Sequence, residues 1–256
     1  MESPRNQKPA RDPALDIPEI QKRIGASRGF KLKRMQQTLE RSRYLHFKNY
    51  GDLAPLLQPL SKPEILKALL PMGSRSMHQF VLEVLRRLIN YLNSSCYLVD
   101  HTRFLVGQMY GRHDPVYAEI LQKLTATYFG SEIPELIRGF RNTASHVTLP
   151  MVTAELSLDN VRFEIRLNLE AWRDAVQARD WNNLPHARKY FAEQTGNPAI
   201  YPLIQSYHSL DAQFFQWLDT RQQEIHGADL EVLKRLELEL RDKYREAGIS
   251  PDEILR

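Results

Sequence analysis

The residues whose types and spacing could do chemistry lie together in one short run, Arg141-Asn142-Thr143-Ala144-Ser145-His146. A histidine carries a proton near neutral pH. An arginine presents a planar fork of donors to phosphate oxygens. An asparagine can orient the imidazole or hold a phosphate oxygen. Strand scission of RNA by its own 2′-hydroxyl needs little more than these groups, and this scheme requires no metal ion. Arg141, Asn142 and His146 are therefore the candidate catalytic residues, and Arg138 adds a second cation. Asn142 and His146 are four residues apart and share a helical face. Arg141 and His146 are five apart, which on a straight helix leaves them roughly 140° apart. One helix does not aim both at one phosphate unless it ends or bends between them. Pro150 makes such an ending reasonable, because the residue before proline avoids the helical region.

The elements that must position this run read mostly as helices. Val81, Val84, Leu85, Leu88, Leu92, Leu98, Val99, Leu105 and Met109 recur every three or four residues, which predicts a long helix from about 77 to 110. A second stripe on it, Asn90, Asn93, Ser94, Tyr97, His101 and Phe104, mixes amides with aromatics and suits a half-buried face against another helix or a site. Further helices are expected at about 19–48, 63–70, 116–129 and from Ser131 to before Pro150. The texture then changes to β-branched and alternating residues, predicting a β-hairpin at about 152–168 with Asp159-Asn160 as its turn. Helices at about 169–179, 184–194, 198–225 and 228–247 complete the chain. The fold class is mostly α, with one β-hairpin.

Composition adds boundaries. The chain has 256 residues, 42% of them apolar, and a formal charge of +4. Residues 1–50 hold 12 Lys and Arg against 5 Asp and Glu, a local excess of +7, while the remainder carries −3. This predicts a basic, partly disordered N-terminal arm (1–50), a helical domain (51–226) and a charged C-terminal helix (227–256). A basic arm suits contact with a polyanion, since neutralised phosphates release counterions. No apolar run reaches the roughly 18 residues of a membrane span, so no membrane partner is expected. The first residues lack an apolar signal region, so a cytoplasmic location is expected. Cys96 is the one cysteine, which excludes a disulfide or a thiolate zinc cage within one chain.

The run from Arg141 to His146 resembles the signature of the HEPN superfamily: an arginine, a polar residue after it, and a histidine four to six residues on. The order of long helix, second helix and motif late in a following helix resembles it too. So does the phrase from Asn93-Ser94-Ser95 to Asp100-His101-Thr102-Arg103 on the long helix. The resemblance covers about 77–150 and implies a HEPN-like helical bundle, with the hairpin and basic arm as additions. It implies a metal-independent endoribonuclease acting on RNA as a homodimer, without a cofactor, in the setting of a toxin or antiviral defence. A neutralising antitoxin or regulator is then an expected partner. Asp100, Asn93, His101 and Arg138 are expected to support the site. The alternative is a HEPN-like module that binds RNA, a nucleotide or a protein without cleaving it.

Other signals carry less. His113-Asp114 invites comparison with metal-dependent HD phosphohydrolases, but it lies in a Gly111-to-Pro115 break rather than on a helix. His46, His78, His186, His208 and His226 have no metal-ligand spacing, and no phosphate-binding glycine loop is present. Trp172, Trp181 and Trp217 are expected in the core rather than as stacking platforms.

Overall fold

The computed structural model describes residues 13–59, 74–146, 152–157, 162–176 and 181–250. The expected helix at 63–70 and the Asp159-Asn160 turn lie outside them. After a short 3₁₀ turn, Pro13–Leu15, the elements are α1 (Ile17–Ala26), α2 (Arg28–Leu57), α3 (Ser74–Tyr110), α4 (Pro115–Tyr128) and α5 (Glu132–His146). Strands β1 (Val152–Ser157) and β2 (Arg162–Leu167) follow, then α6 (Leu169–Val176), α7 (Pro185–Glu193) and α8 (Ile200–Glu246). The mostly helical architecture with one small antiparallel hairpin matches the sequence-based expectation. The hairpin pairs Val152 with Leu167 and Ser157 with Arg162. Among the described residues no helix is long and apolar enough to cross a membrane.

The chain forms two compact units: residues 1–37 with 219–256, and residues 38–218. In the first, Ile20 and Ile24 of α1 pack with Leu233 and Leu236 of α8, flanked by Phe30 and Leu240. Gly29 lies against the backbone of Asp229, close enough that a Cβ would collide with its carbonyl. Three basic residues of this unit meet acids of α8: Arg23 with Glu239 at 3.1 Å, Arg28 with Asp229 at 3.4 Å, and Lys33 with Glu237 at 2.8 Å.

These pairings revise the division read from composition. Position 50 falls inside α2 and position 226 inside α8, so neither is a break. From Ile17 onward the basic segment is helical, in line with the helix expected at about 19–48, and α2 carries it past position 50 to Leu57. Three of its cations, Arg23, Arg28 and Lys33, are matched by carboxylates far away in sequence, which composition by segment does not reveal. The His226-Gly227 pair, read as a gap between two helices, lies within the continuous α8. A helical glycine costs only about 1 kcal/mol relative to alanine. Packing of Leu218, Gln222, Leu233 and Leu236, all buried, outweighs it.

The second unit holds the main core. Phe140 of α5, Trp172 of α6, Trp181 in the segment before α7, and Phe191 of α7 form an aromatic cluster, with ring centroids 4.7 to 6.3 Å apart. Trp172 and Trp181 are fully buried, as expected, and Trp217 is half-buried. Asp114 turns out to be a helix cap: its carboxylate accepts from the Val116 amide at 2.8 Å and starts α4.

Candidate functional site

Helix α5 carries the motif, and its two sides are held differently. One side, Glu135, Gly139 and Thr143, repeats every four residues and faces the tryptophan cluster. Glu135 is buried, and its carboxylate accepts from the His186 and Ala187 amides at 2.8 and 3.1 Å. These are orphan donors at the start of α7, so a side chain of α5 caps a neighbouring helix. His186 Nδ1 lies 3.0 Å from the same carboxylate. Gly139 lets the Trp181 ring lie on the helix backbone, where a Cβ would meet ring carbons within 3 Å.

The opposite side of α5 lines a cavity of about 160 Å³. A water molecule takes roughly 30 Å³ of the liquid, so a phosphate group fits. Arg138, Arg141 and Asn142 come from α5, Asp100 and Arg103 from α3, and Phe129 from the end of α4. Tyr128, Tyr207 and Cys96 also line it, with Val99, Pro134 and Ile137 as its apolar wall. The guanidinium groups of Arg103 and Arg138 sit 5.5 and 5.1 Å from the centre of the one Phe129 ring. Arg103 also lies 3.9 Å from Asp100. Arg141 donates to Asn142 Oδ1 at 3.2 Å, and its Nε is buried with no acceptor among the described residues. An unsatisfied buried donor is costly, and here it borders a cavity that an anion can enter.

Behind this lining lies a buried polar relay. Tyr128 donates to Asp211 Oδ1 at 2.8 Å, and His46 Nε2 lies 2.7 Å from Oδ2. Both His46 and Asp211 are buried. Burial, reinforced by the Asp211 charge, pushes the Tyr128 phenol far above its ordinary range, so it stays a donor. Tyr207 is raised for the same two reasons. Burial also lifts the Cys96 thiol to about 11, against a smaller opposite pull from Arg141.

Of the seven residues singled out from sequence, Arg141, Asn142, Arg138 and Asp100 line the cavity together. His146, the last residue of α5, is exposed and is not part of the lining. Asn93 is exposed one to two turns away on α3. His101 is half-buried, with Nδ1 2.6 Å from Ser42 Oγ of α2. Sequence reasoning quoted Arg103 within the Asn93-to-Arg103 phrase but gave neither it nor Phe129 a place in the site. Arg103 carried a signal, since it stands three residues after Asp100 on the same helical face. Among the described residues, no group of three or more His, Cys, Asp or Glu is arranged to hold a metal ion. No family model matches the chain, and no curated protein or solved structure shows significant similarity to it.

Proposed function

We propose that this chain binds RNA through the arginine-lined cavity and cleaves it as a metal-independent endoribonuclease of the HEPN type. The observation that carries the reading is the convergence of Arg103, Arg138, Arg141 and Asn142 on one phosphate-sized cavity. A bound phosphate would take the open donor of Arg141 and the stacked forks of Arg103 and Arg138. The 2′-oxygen attacks phosphorus, the bond to the 5′-oxygen breaks, and the products are a 2′,3′-cyclic phosphate and a 5′-hydroxyl. His146 takes the 2′-hydroxyl proton or delivers one to the leaving oxygen. Because His146 stands outside its own chain's cavity, the site is completed by a second copy with the motifs facing each other. A twofold dimer is the commonest symmetric assembly. A role in toxicity or defence, with a neutralising regulator, belongs to the same reading.

The position of His146 also favours a second reading, a binding module of the same fold that holds RNA without cutting it. Incubating the protein with mixed RNAs in excess EDTA separates the two. Cyclic-phosphate ends, lost in His146→Ala, support cleavage. Binding that Arg141→Ala weakens, with no cleavage by the wild type, supports the module. Mixing Arg141→Ala with His146→Ala chains should restore cleavage if each site draws on both copies.

A further inference from the structure

The outward side of α3 carries three rings in a column. Tyr97, His101 and Phe104 stand at positions i, i+4 and i+7, so they share one helical face. Tyr97 and His101 have centroids 5.1 Å apart, and His101 and Phe104 lie 6.5 Å apart with planes only 14° from parallel. The middle ring is held by Ser42. The outer two are open, Tyr97 at 54% and Phe104 at 60% exposure. A single exposed aromatic needs no explanation, but a fixed column of rings with both ends open offers flat apolar surface at low entropic cost.

This column borders the cavity. At about 100° per residue, the α3 residues that line the cavity, Cys96, Val99 and Arg103, lie on one side of Asp100. Tyr97, His101 and Phe104 lie on its other side. The helix therefore presents cations toward one flank and rings toward the next. The seven steps from Tyr97 to Phe104 rise about 10 Å, room for two to three stacked nucleotides at about 3.4 Å each.

We propose that Tyr97, His101 and Phe104 form a base-stacking platform that receives the unpaired bases of a single-stranded RNA while the Arg103–Arg138–Arg141 cavity holds its phosphate. This rests on the RNA-binding reading above and names its substrate class. A duplex hides base faces within its own stack, whereas an unpaired strand exposes them to aromatic side chains. The pairing of a cationic cavity with an adjoining ring column fits a strand that is anionic along its backbone and flat along its bases. Asp100 stands between the two and is placed to accept from a base amino group or a ribose hydroxyl.

The test compares two fluorescent ten-residue oligomers by anisotropy: 2′-O-methyl decaadenylate, which lacks the attacking hydroxyl, and an abasic strand of equal length. Both carry the same backbone charge. The wild type should bind the adenylate about 5- to 100-fold more tightly. Tyr97→Ala and Phe104→Ala should each reduce that ratio, and the double variant should bring it close to one with abasic affinity unchanged. Phe104→Tyr should keep it, and Arg141→Ala should weaken both oligomers alike. Equal binding of the two oligomers by the wild type, or a ratio indifferent to Tyr97→Ala and Phe104→Ala, overturns the platform and leaves the cavity reading standing. Binding of neither oligomer overturns both. If sedimentation shows that Tyr97→Ala with Phe104→Ala turns a dimer into monomers while the ratio persists, the column is a contact between copies and the proposal fails.

Discussion

The indole Nε1 of Trp181 donates to Thr143 Oγ1 at 3.0 Å. Thr143 is buried and belongs to the motif run itself. The bond turns this one motif residue toward the aromatic core, and its neighbours Arg141 and Asn142 are thereby left for the cavity. One tryptophan thus sets both the depth of α5, through its contact with Gly139, and its rotation, through Thr143.

Gly139→Ala should therefore destabilise the protein by about 1–3 kcal/mol, because the added methyl collides with a ring that has no room to retreat. Thr143→Val removes the acceptor without changing shape much and should cost about 1–3 kcal/mol by stranding the buried indole N–H. Both are read from chemical denaturation. A Gly139→Ala protein as stable as wild type would mean that Trp181 does not seat α5.

Asp211→Ala should be the most damaging change near the cavity. It takes the shared carboxylate from His46 Nε2 and from the Tyr128 hydroxyl at once, and each buried hydrogen bond to a charged group is worth about 1.5–3 kcal/mol. Tyr128→Phe removes only one of these bonds and leaves the His46 contact in place, so it should cost about 1.5–3 kcal/mol, roughly half as much. Calorimetric melts of the two variants should differ by several degrees. Equal melting temperatures would show that the relay is not a stability element.

His208 supplies a pH dependence. Its ring is stacked on Tyr50, centroids 3.5 Å apart, with Phe47 edge-on at 4.9 Å. Burial lowers its pKa from the ordinary 6.5, partly offset by the Asp211 charge, while His46 pushes further down. The folded state therefore prefers the neutral ring. Its contribution to stability is complete above about pH 6.5 and is lost as pH falls through the lower, folded value, because the unfolded chain takes up the proton first. Melting temperature should drop as pH falls below about 6.5, and His208→Phe should flatten that drop. An identical slope in the variant would assign the effect to other groups.

Cys96 should be a sluggish nucleophile. With its thiol lifted to about 11, the thiolate at pH 8 is scarce, and iodoacetamide should react on the order of 100-fold more slowly than with an ordinary exposed thiol. Denaturant should abolish the difference. Intact-mass measurement over time checks this, and rapid labelling of the native protein would contradict the burial of the thiol.

Local periodicity carried most of the fold. The apolar repeat of α3 and the alternation around Phe163, Ile165 and Leu167 are short-range patterns, and both elements form where those patterns lie. The same reasoning grouped Arg138, Arg141 and Asn142, because neighbours on one helix stay neighbours in space. It did not reach the His46–Asp211–Tyr128 relay, whose members come from three helices and are separated by up to 165 residues. Nor did it foresee α8 running through Gly227, since the penalty there is local and the compensation is tertiary. The 140° splay of Arg141 and His146 was legible in the spacing. Helix α5 continues through His146, so the splay persists within it.

The ring of Phe129 has a kinetic consequence. A cation held by a carboxylate must give up that partner before a phosphate can replace it, and the exchange slows capture. Arg138 is instead braced by an uncharged ring and by the Asn183 carbonyl at 3.4 Å. Among the described residues, neither Arg138 nor Arg141 has a carboxylate at ion-pair distance. An arriving anion therefore finds two guanidinium groups already oriented and with no bound counter-charge to evict. Its association should be governed by diffusion and ionic strength rather than by an internal unlocking step.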